Sequence, residues 1–156
     1  MIKTKRIVMS AMLAALVCVA TMIIKIQLTP NGYINLGDGV IILSGWALGP
    51  LYGFLAAGIG SALADLFSGF VLYAPVTFIV KGLMAVASYY VIKKLKSVIF
   101  AAILAEIVMI LGYYIFEGFV YGFGTALLSM PGNAIQSIAG IVTGTLLVKM
   151  LQKHRF

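Results

Sequence analysis

Apolar positions along this chain fall into six blocks divided by short polar or glycine–proline punctuation. The first block covers residues 7–26, and about 20 apolar residues are enough for a helix to cross ~30 Å of hydrocarbon. Residues 27–37 read as a polar loop, with Pro30, Asn31, Gly32 and Asn35. The second block, 38–48, is short and stops at Gly49-Pro50; the third, 52–67, is crowded with Ala56, Ala57, Gly58, Gly60, Ser61, Ala62 and Ala64. Such small residues let helices approach closely in a membrane. Blocks two and three are oblique spans or a re-entrant hairpin, and either choice leaves the crossing parity unchanged. The fourth block, 74–92, carries Lys81 and is followed by Lys93, Lys94 and Lys96. The fifth, 98–120, carries Glu106 and Glu117. A glycine-rich loop (Gly118, Gly122, Gly124) and Pro131-Gly132 lead to the sixth, 133–150.

The expected architecture is therefore all-α, one six-helix membrane domain over residues 1–156. Composition agrees. Of the 156 residues 63% are hydrophobic and 10% charged, with mean hydropathy +1.14; soluble domains are nearer half apolar and a quarter charged. The net charge of +7 does not indicate nucleic acid. Nine of the 11 basic residues lie at the N-terminus, between blocks four and five, or at the C-terminus, whereas 27–37, 68–73 and 121–132 hold no Lys or Arg. Six crossings put those basic segments on one side, and the positive-inside rule makes it the cytoplasm, with both termini there. Lys3, Lys5 and Arg6 resemble the start of a signal peptide. The apolar run behind them is close to a full span with no clear small-x-small cleavage site, so it is kept as a mature helix. Cys18 sits in an apolar run and reads as a small packing residue. His154 reads as a solvated tail residue.

With this topology, polar side chains gather toward the outer ends of the helices. Asp38 opens block two and reads as its N-cap. Asp65 lies near the outer end of block three, Glu117 near that of block five, and Asn133 opens block six. Lys81 lies about 10 Å below the outer end of block four. Charge in lipid costs ~2.5–3.5 kcal/mol per group on insertion scales, so such residues line a site or pair with one another. Asp65 and Lys81 are candidates for either role. Glu106, Ile110, Tyr113 and Glu117 share one helical face, and Asn133, Gln136 or Ser137, Gly140 and Gly144 share another; the two faces are expected to meet. Glu117 with Asn133 is the leading candidate pair. Trp46, Tyr33, Tyr73, Tyr113 and Tyr114 could stack on a flat ring, although tyrosines near an interface are also ordinary belt residues. The pattern describes a small-molecule pocket open to the outside. It contains no metal-ligand cluster, nucleophile–base pair or nucleotide-binding fingerprint, so no enzyme activity, metal or cofactor is expected.

Several motifs together resemble the substrate-binding S components of energy-coupling factor (ECF) transporters: Ala11-x-x-x-Ala15, Leu36-Gly37-Asp38, Leu48-Gly49-Pro50 with Gly53, and Gly60-Ser61-Ala62-Leu63-Ala64-Asp65-Leu66 leading to Tyr73-Ala74-Pro75 and Lys81-Gly82. The sequence is most similar to the branch associated with hydroxymethylpyrimidine or pyridoxine-type vitamers, and less so to the riboflavin branch. The resemblance implies six helices in a prokaryotic plasma membrane and a vitamin pocket near the outer face, and it implies that Ala11 and Ala15 contact a partner. That partner would be a transmembrane coupling protein acting with two cytoplasmic ATPases. The expected substrate-binding residues are Glu117, Asn133, Lys81, Tyr113, Gln136, Asp65, Trp46 and Tyr33. Competing readings are an S component for another vitamin such as riboflavin, a stand-alone proton-coupled carrier using Glu106 or Glu117, and an assembly protein whose polar groups only lock helices together.

Overall fold

The computed structural model describes residues 3–29 and 32–153, with side chains described outside 27–33. Seven α-helices and one two-stranded hairpin are found among them. They are α1 (Lys3–Ile23), β1 (Lys25–Thr29), β2 (Gly32–Asn35), α2 (Gly37–Leu48), α3 (Pro50–Phe67), α4 (Ala74–Leu95), α5 (Val98–Tyr121), α6 (Phe123–Ala126) and α7 (Met130–Lys153), with a 3-10 turn at Leu127–Ser129 before α7. Among the described residues, five helical stretches are long and apolar enough to cross a membrane. α2 is not one of them: twelve residues span only about 18 Å. It is instead buried along nearly its whole length, as the central element of the bundle.

Punctuation explains most boundaries. Gly49, at φ 84°, turns the chain between α2 and α3, and Pro50 opens α3 where its missing N–H costs nothing. Lys96 closes α4 in a left-handed cap, φ 51°, its N–H bonding the Ile92 carbonyl at 3.0 Å. Ser97 caps α5 by accepting from the Phe100 N–H. Two boundaries differ from the sequence expectation. α7 begins three residues before Asn133 because Pro131 sits in its first turn, where proline is tolerated. Residues 25–35, expected to be a loop, form an antiparallel hairpin pairing Lys25 with Asn35 and Ile26 with Ile34.

Contacts give the helix directions. Phe54 faces Gly82 and Phe78 faces Gly58, so α3 and α4 are antiparallel. Val80 meets Gly112 and Thr77 meets Tyr113, so α4 and α5 are antiparallel as well. Asp38 bonds Gln136 while Ile42 covers Gly144, so α2 and α7 run together. One end of the bundle therefore gathers the starts of α2, α4 and α7. The opposite end gathers the exposed Lys93, Lys94, Lys96, Lys149 and Lys153.

Backbones approach closely along glycine seams. At Gly60 an added Cβ would collide with the Ala14 carbonyl and Val17, which seats α1 on α3. Gly60→Ala is expected to destabilise the protein by about 1–3 kcal/mol through overpacking, whereas Gly124→Ala, with nothing within 4 Å, should fall within about 0.5 kcal/mol of the parent. Unfolding in mixed micelles, followed by circular dichroism, checks the contrast.

Candidate functional site

Several of the polar side chains that the sequence placed at one end of the bundle meet there, in two tiers. The deeper tier is built around Asp38. Its side chain is fully buried and forms an ion pair with Lys81 of α4. Its second oxygen accepts from the Gln136 amide of α7. Gln136 Oε1 in turn accepts from the backbone and side-chain amides of Asn35, at 3.2 and 3.4 Å, and Asn35 Oδ1 accepts from the Gly37 N–H at 2.8 Å. Met109 of α5 closes the floor, its sulfur 3.2 Å from both Lys81 Nζ and Gln136 Nε2. Four helices and the hairpin thus converge on a few polar atoms.

This arrangement changes two sequence readings. Asp38 does not cap α2, whose N-cap is Leu36 without a side-chain hydrogen bond; in the low dielectric of the core, an ammonium is a stronger partner than the helix's own N–H groups. Lys81 is paired with Asp38, not Asp65. Asp65 is buried at the end of α3, where its carbonyl accepts the Ser68 and Phe70 N–H groups and tightens the turn.

The upper tier is aromatic. Tyr73 is buried and donates to Glu117 at 3.1 Å, while Tyr113 and Thr77 share a hydroxyl–hydroxyl bond of 3.0 Å. The Tyr73 ring lies 6.4 Å from that of Tyr113 and 5.3 Å from Phe116. Lys81 Nζ sits 5.6 Å from the Tyr113 ring centre, within cation–π range, and so joins the tiers. Glu117 therefore bonds Tyr73; Asn133, its expected partner, stands half-buried in the first turn of α7 with its carbonyl accepting from Ser137. Trp46 lies two turns beyond Asp38 along α2, about 12 Å deeper, half-buried against the apolar core. The Tyr33 side chain and His154 lie outside the described residues. Sequence reasoning missed Asn35 and Met109 as parts of the tier; neither belongs to a period or motif that would mark it.

A second feature lies on the outer surface of the bundle. Ile7, Ser10, Ala11, Ala14 and Ala15 of α1 and Tyr52, Leu55, Ala56, Ile59 and Leu63 of α3 line an apolar groove of about 450 Å³. Ala11 and Ala15 are exposed there, while Ala14 and Val17 supply the internal packing.

Comparison with known proteins gives the family of this helical bundle. The family model for the ECF-type riboflavin transporter S component matches residues 1–153. A protein of Pyrococcus woesei, described only as an uncharacterized protein in a gap 3' region, is 35% identical over 142 residues, covering 88% of this chain and 95% of that protein. A solved structure described as "Structure and mechanism of the S component of a bacterial ECF transporter" superposes with a TM-score of 0.77 at 25% identity, covering 97% of this chain and 98% of that one. The chain belongs to the ECF-type transporter S components, the multi-pass plasma-membrane subunits that bind small molecules for vitamin uptake. S components work with a coupling membrane protein and ATPases.

Removing the ammonium from the ion pair leaves Asp38 uncompensated. Lys81→Met is expected to cost about 3–5 kcal/mol, as broken buried pairs do. The double variant Asp38→Asn/Lys81→Met should recover most of that loss. Unfolding of the single and double variants in mixed micelles measures both.

Proposed function

We propose that this protein captures a small, flat heterocyclic vitamin or vitamin precursor from outside the cell and delivers it inward together with an ECF coupling module. The observation that carries the reading is the deep tier itself: Lys81, Asp38, Gln136 and Asn35, drawn from three helices and a hairpin, lie beneath the ring cluster of Tyr73, Tyr113 and Phe116. Aromatic faces above and convergent polar groups below suit a planar ring with hydrogen-bonding edges. In this reading Glu117, Asn133, Lys81, Tyr113 and Gln136 contact the ligand, Asp65 belongs to the rim, and Trp46 shapes the core from below. The basic end faces the cytoplasm with both termini, five long helical segments cross the bilayer with the short α2 running between the two ends inside the bundle, and the polar nest opens outward.

Two ligand classes are carried forward. Pyridoxine-type vitamers and hydroxymethylpyrimidine belong to the branch that the sequence motifs resemble. Riboflavin is favoured by the family whose model covers residues 1–153. Nanomolar capture of either corresponds to ~12 kcal/mol, within reach of ring stacking and several buried hydrogen bonds. Mass spectrometry of small molecules released from the denatured, detergent-purified protein should find one of them. Calorimetric titration should then show it rebinding, at least tenfold weaker to Glu117→Ala and Asn133→Ala. A protein that releases nothing and binds none of the three compounds overturns the reading. Uptake in cells without any ATPase partner would favour a stand-alone carrier.

The exposed Ala11 and Ala15, on the wall of the α1–α3 groove, are the proposed contact for the transmembrane coupling protein. Small residues there would let a partner helix lie close. Ala15→Trp is expected to abolish co-purification with the coupling protein and its two ATPases, with ligand affinity unchanged in calorimetry.

A further inference from the structure

The charged side chains of this chain are sorted by height. The four acidic residues of the sequence, Asp38, Asp65, Glu106 and Glu117, belong to the nest end or to the middle of the bundle. The exposed Lys93, Lys94, Lys96, Lys149 and Lys153 gather at the other end, and among the described residues none of the five forms an ion pair.

Helix register draws these lysines into one sector. Val80 meets Gly112 across the antiparallel α4 and α5, so Lys94 comes level with Val98 at the start of α5. Glu106 meets Gly140 across α5 and α7, which are also antiparallel, so Val148 comes level with Val98 too; both valines are buried in the same core cluster. Lys149 follows Val148, and Lys96 sits in the turn before Val98 at φ 51°. The start of α5 is thus flanked by cations of α4 on one side and of α7 on the other, each about one helix spacing, ~8–10 Å, away. The helix ends absorb little of this charge. The C-termini of α4 and α7 present roughly half a negative charge each, and the N-terminus of α5 returns about half a positive one, against five ammonium groups.

The outer surface at the same level is apolar. Leu95, Phe100 and Met150 are 63%, 62% and 62% exposed. One turn before the lysines the Tyr89 and Tyr90 rings pack edge to face at 5.2 Å, and Lys93 Nζ lies 5.7 Å from the Tyr89 ring centre. Tyrosines, bare apolar side chains and lysines reaching past them are the composition of a membrane–water interface. A molecule that complements such a surface has a negative head and an apolar tail. The sector is also separate from the α1–α3 groove proposed for the coupling protein, since α5 and α7 pack on α4, α2 and each other.

We propose that the α4–α5 turn and the end of α7 form a binding surface for an anionic phospholipid, with Lys94, Lys96 and Lys149 holding the headgroup phosphate and Leu95, Phe100 and Met150 lying along the acyl chains. Juxtamembrane lysines attract anionic leaflets in general. This sector retains a lipid because charges from two helices and a turn converge on it, whereas Lys3, Lys5 and Arg6 follow one another on a single helix. The test is native mass spectrometry of the full chain in detergent, with phosphatidylglycerol and phosphatidylcholine of identical acyl chains added together. Wild-type protein is expected to retain phosphatidylglycerol at least tenfold over phosphatidylcholine. Lys94→Gln/Lys96→Gly/Lys149→Gln, in which glycine keeps the left-handed cap, should bring that preference below about threefold. Lys3→Gln/Lys5→Gln/Arg6→Gln removes as much charge and should leave the preference within about twofold of wild type. Lys149→Gln alone should lower it at least twofold and supplies the answer if the triple variant does not accumulate. Equal retention of the two lipids by wild type overturns the proposal, and so does an equal loss in the two triple variants, which reduces the effect to net charge. Retention of free glycerol phosphate as tightly as the lipid overturns it as well, because the apolar surface then contributes nothing. Wild type without a lipid preference, combined with loss of the coupling module from the Lys94/Lys96/Lys149 variant, overturns it in favour of a protein partner.

Discussion

An ammonium and a carboxylate in the middle of a membrane bundle cannot be left to the solvent, because the solvent is hydrocarbon. Lys81 and Asp38 must therefore find each other, and every element that touches them inherits the constraint. Lys81 sets the height of α4 against α2. The second oxygen of Asp38 sets the height of α7 through Gln136. Gln136 then fixes the hairpin through Asn35, and Met109 fixes α5 from beneath. Burying the pair costs several kcal/mol per ion before attraction and hydrogen bonds offset it. Such a network is weak evidence of stability. It is better understood as a device that permits one register of four helices and no other.

Below this tier the packing follows different rules. Lipid chains are as apolar as leucine, so burial of hydrophobic surface gives helices little reason to associate. The seams instead use shape. Gly45 receives the Ala85 carbonyl, Gly53 lies on Gly45, and Gly39 and Gly144 take Thr143 and Ile42 side chains. Close approach maximises dispersion contacts, each small but many in number. The result is a bundle locked polar-to-polar at one end and interdigitated by backbone contact through the rest. The locked end is the end that would meet a ligand.

Much of this was legible in the chain. Five of the six apolar blocks became long helices within a few residues of their expected bounds, because length and punctuation are local properties. The gathering of Asp38, Lys81 and Gln136 at one end followed from parity and depth alone. Partner choice did not. Periodicity says which face a residue takes but not which neighbouring helix it meets, so Asp38 was read as a cap and Lys81 offered to Asp65. The hairpin was readable in principle, since Pro30-Asn31-Gly32 is turn-forming sequence between two short β-compatible runs. A membrane context, where loops join helices, hid it. Asn35 and Met109 carried no signal: a loop asparagine and a core methionine acquire their roles only when α7 and α4 arrive beside them.

The hairpin also relates the two functional surfaces. α1 ends in β1, and Thr21 in its last turns packs into the space left by Gly37 at the start of α2. Asn35 at the end of β2 holds Gln136, which holds Asp38. The helix bearing Ala11 and Ala15 is thus joined to the polar nest through the hairpin and by direct packing. On the proposed reading, a ligand that displaces Gln136 disturbs Asn35, and Asn35 is paired with Lys25 at the start of β1, next to the end of α1. Rigid secondary elements in contact are the kind of structure through which two sites share free energy. If binding at the nest changes affinity at the groove, linkage requires the reverse effect to be of equal size. An importer has use for both directions: a filled nest that favours docking, and a docked partner that alters the hold on the ligand.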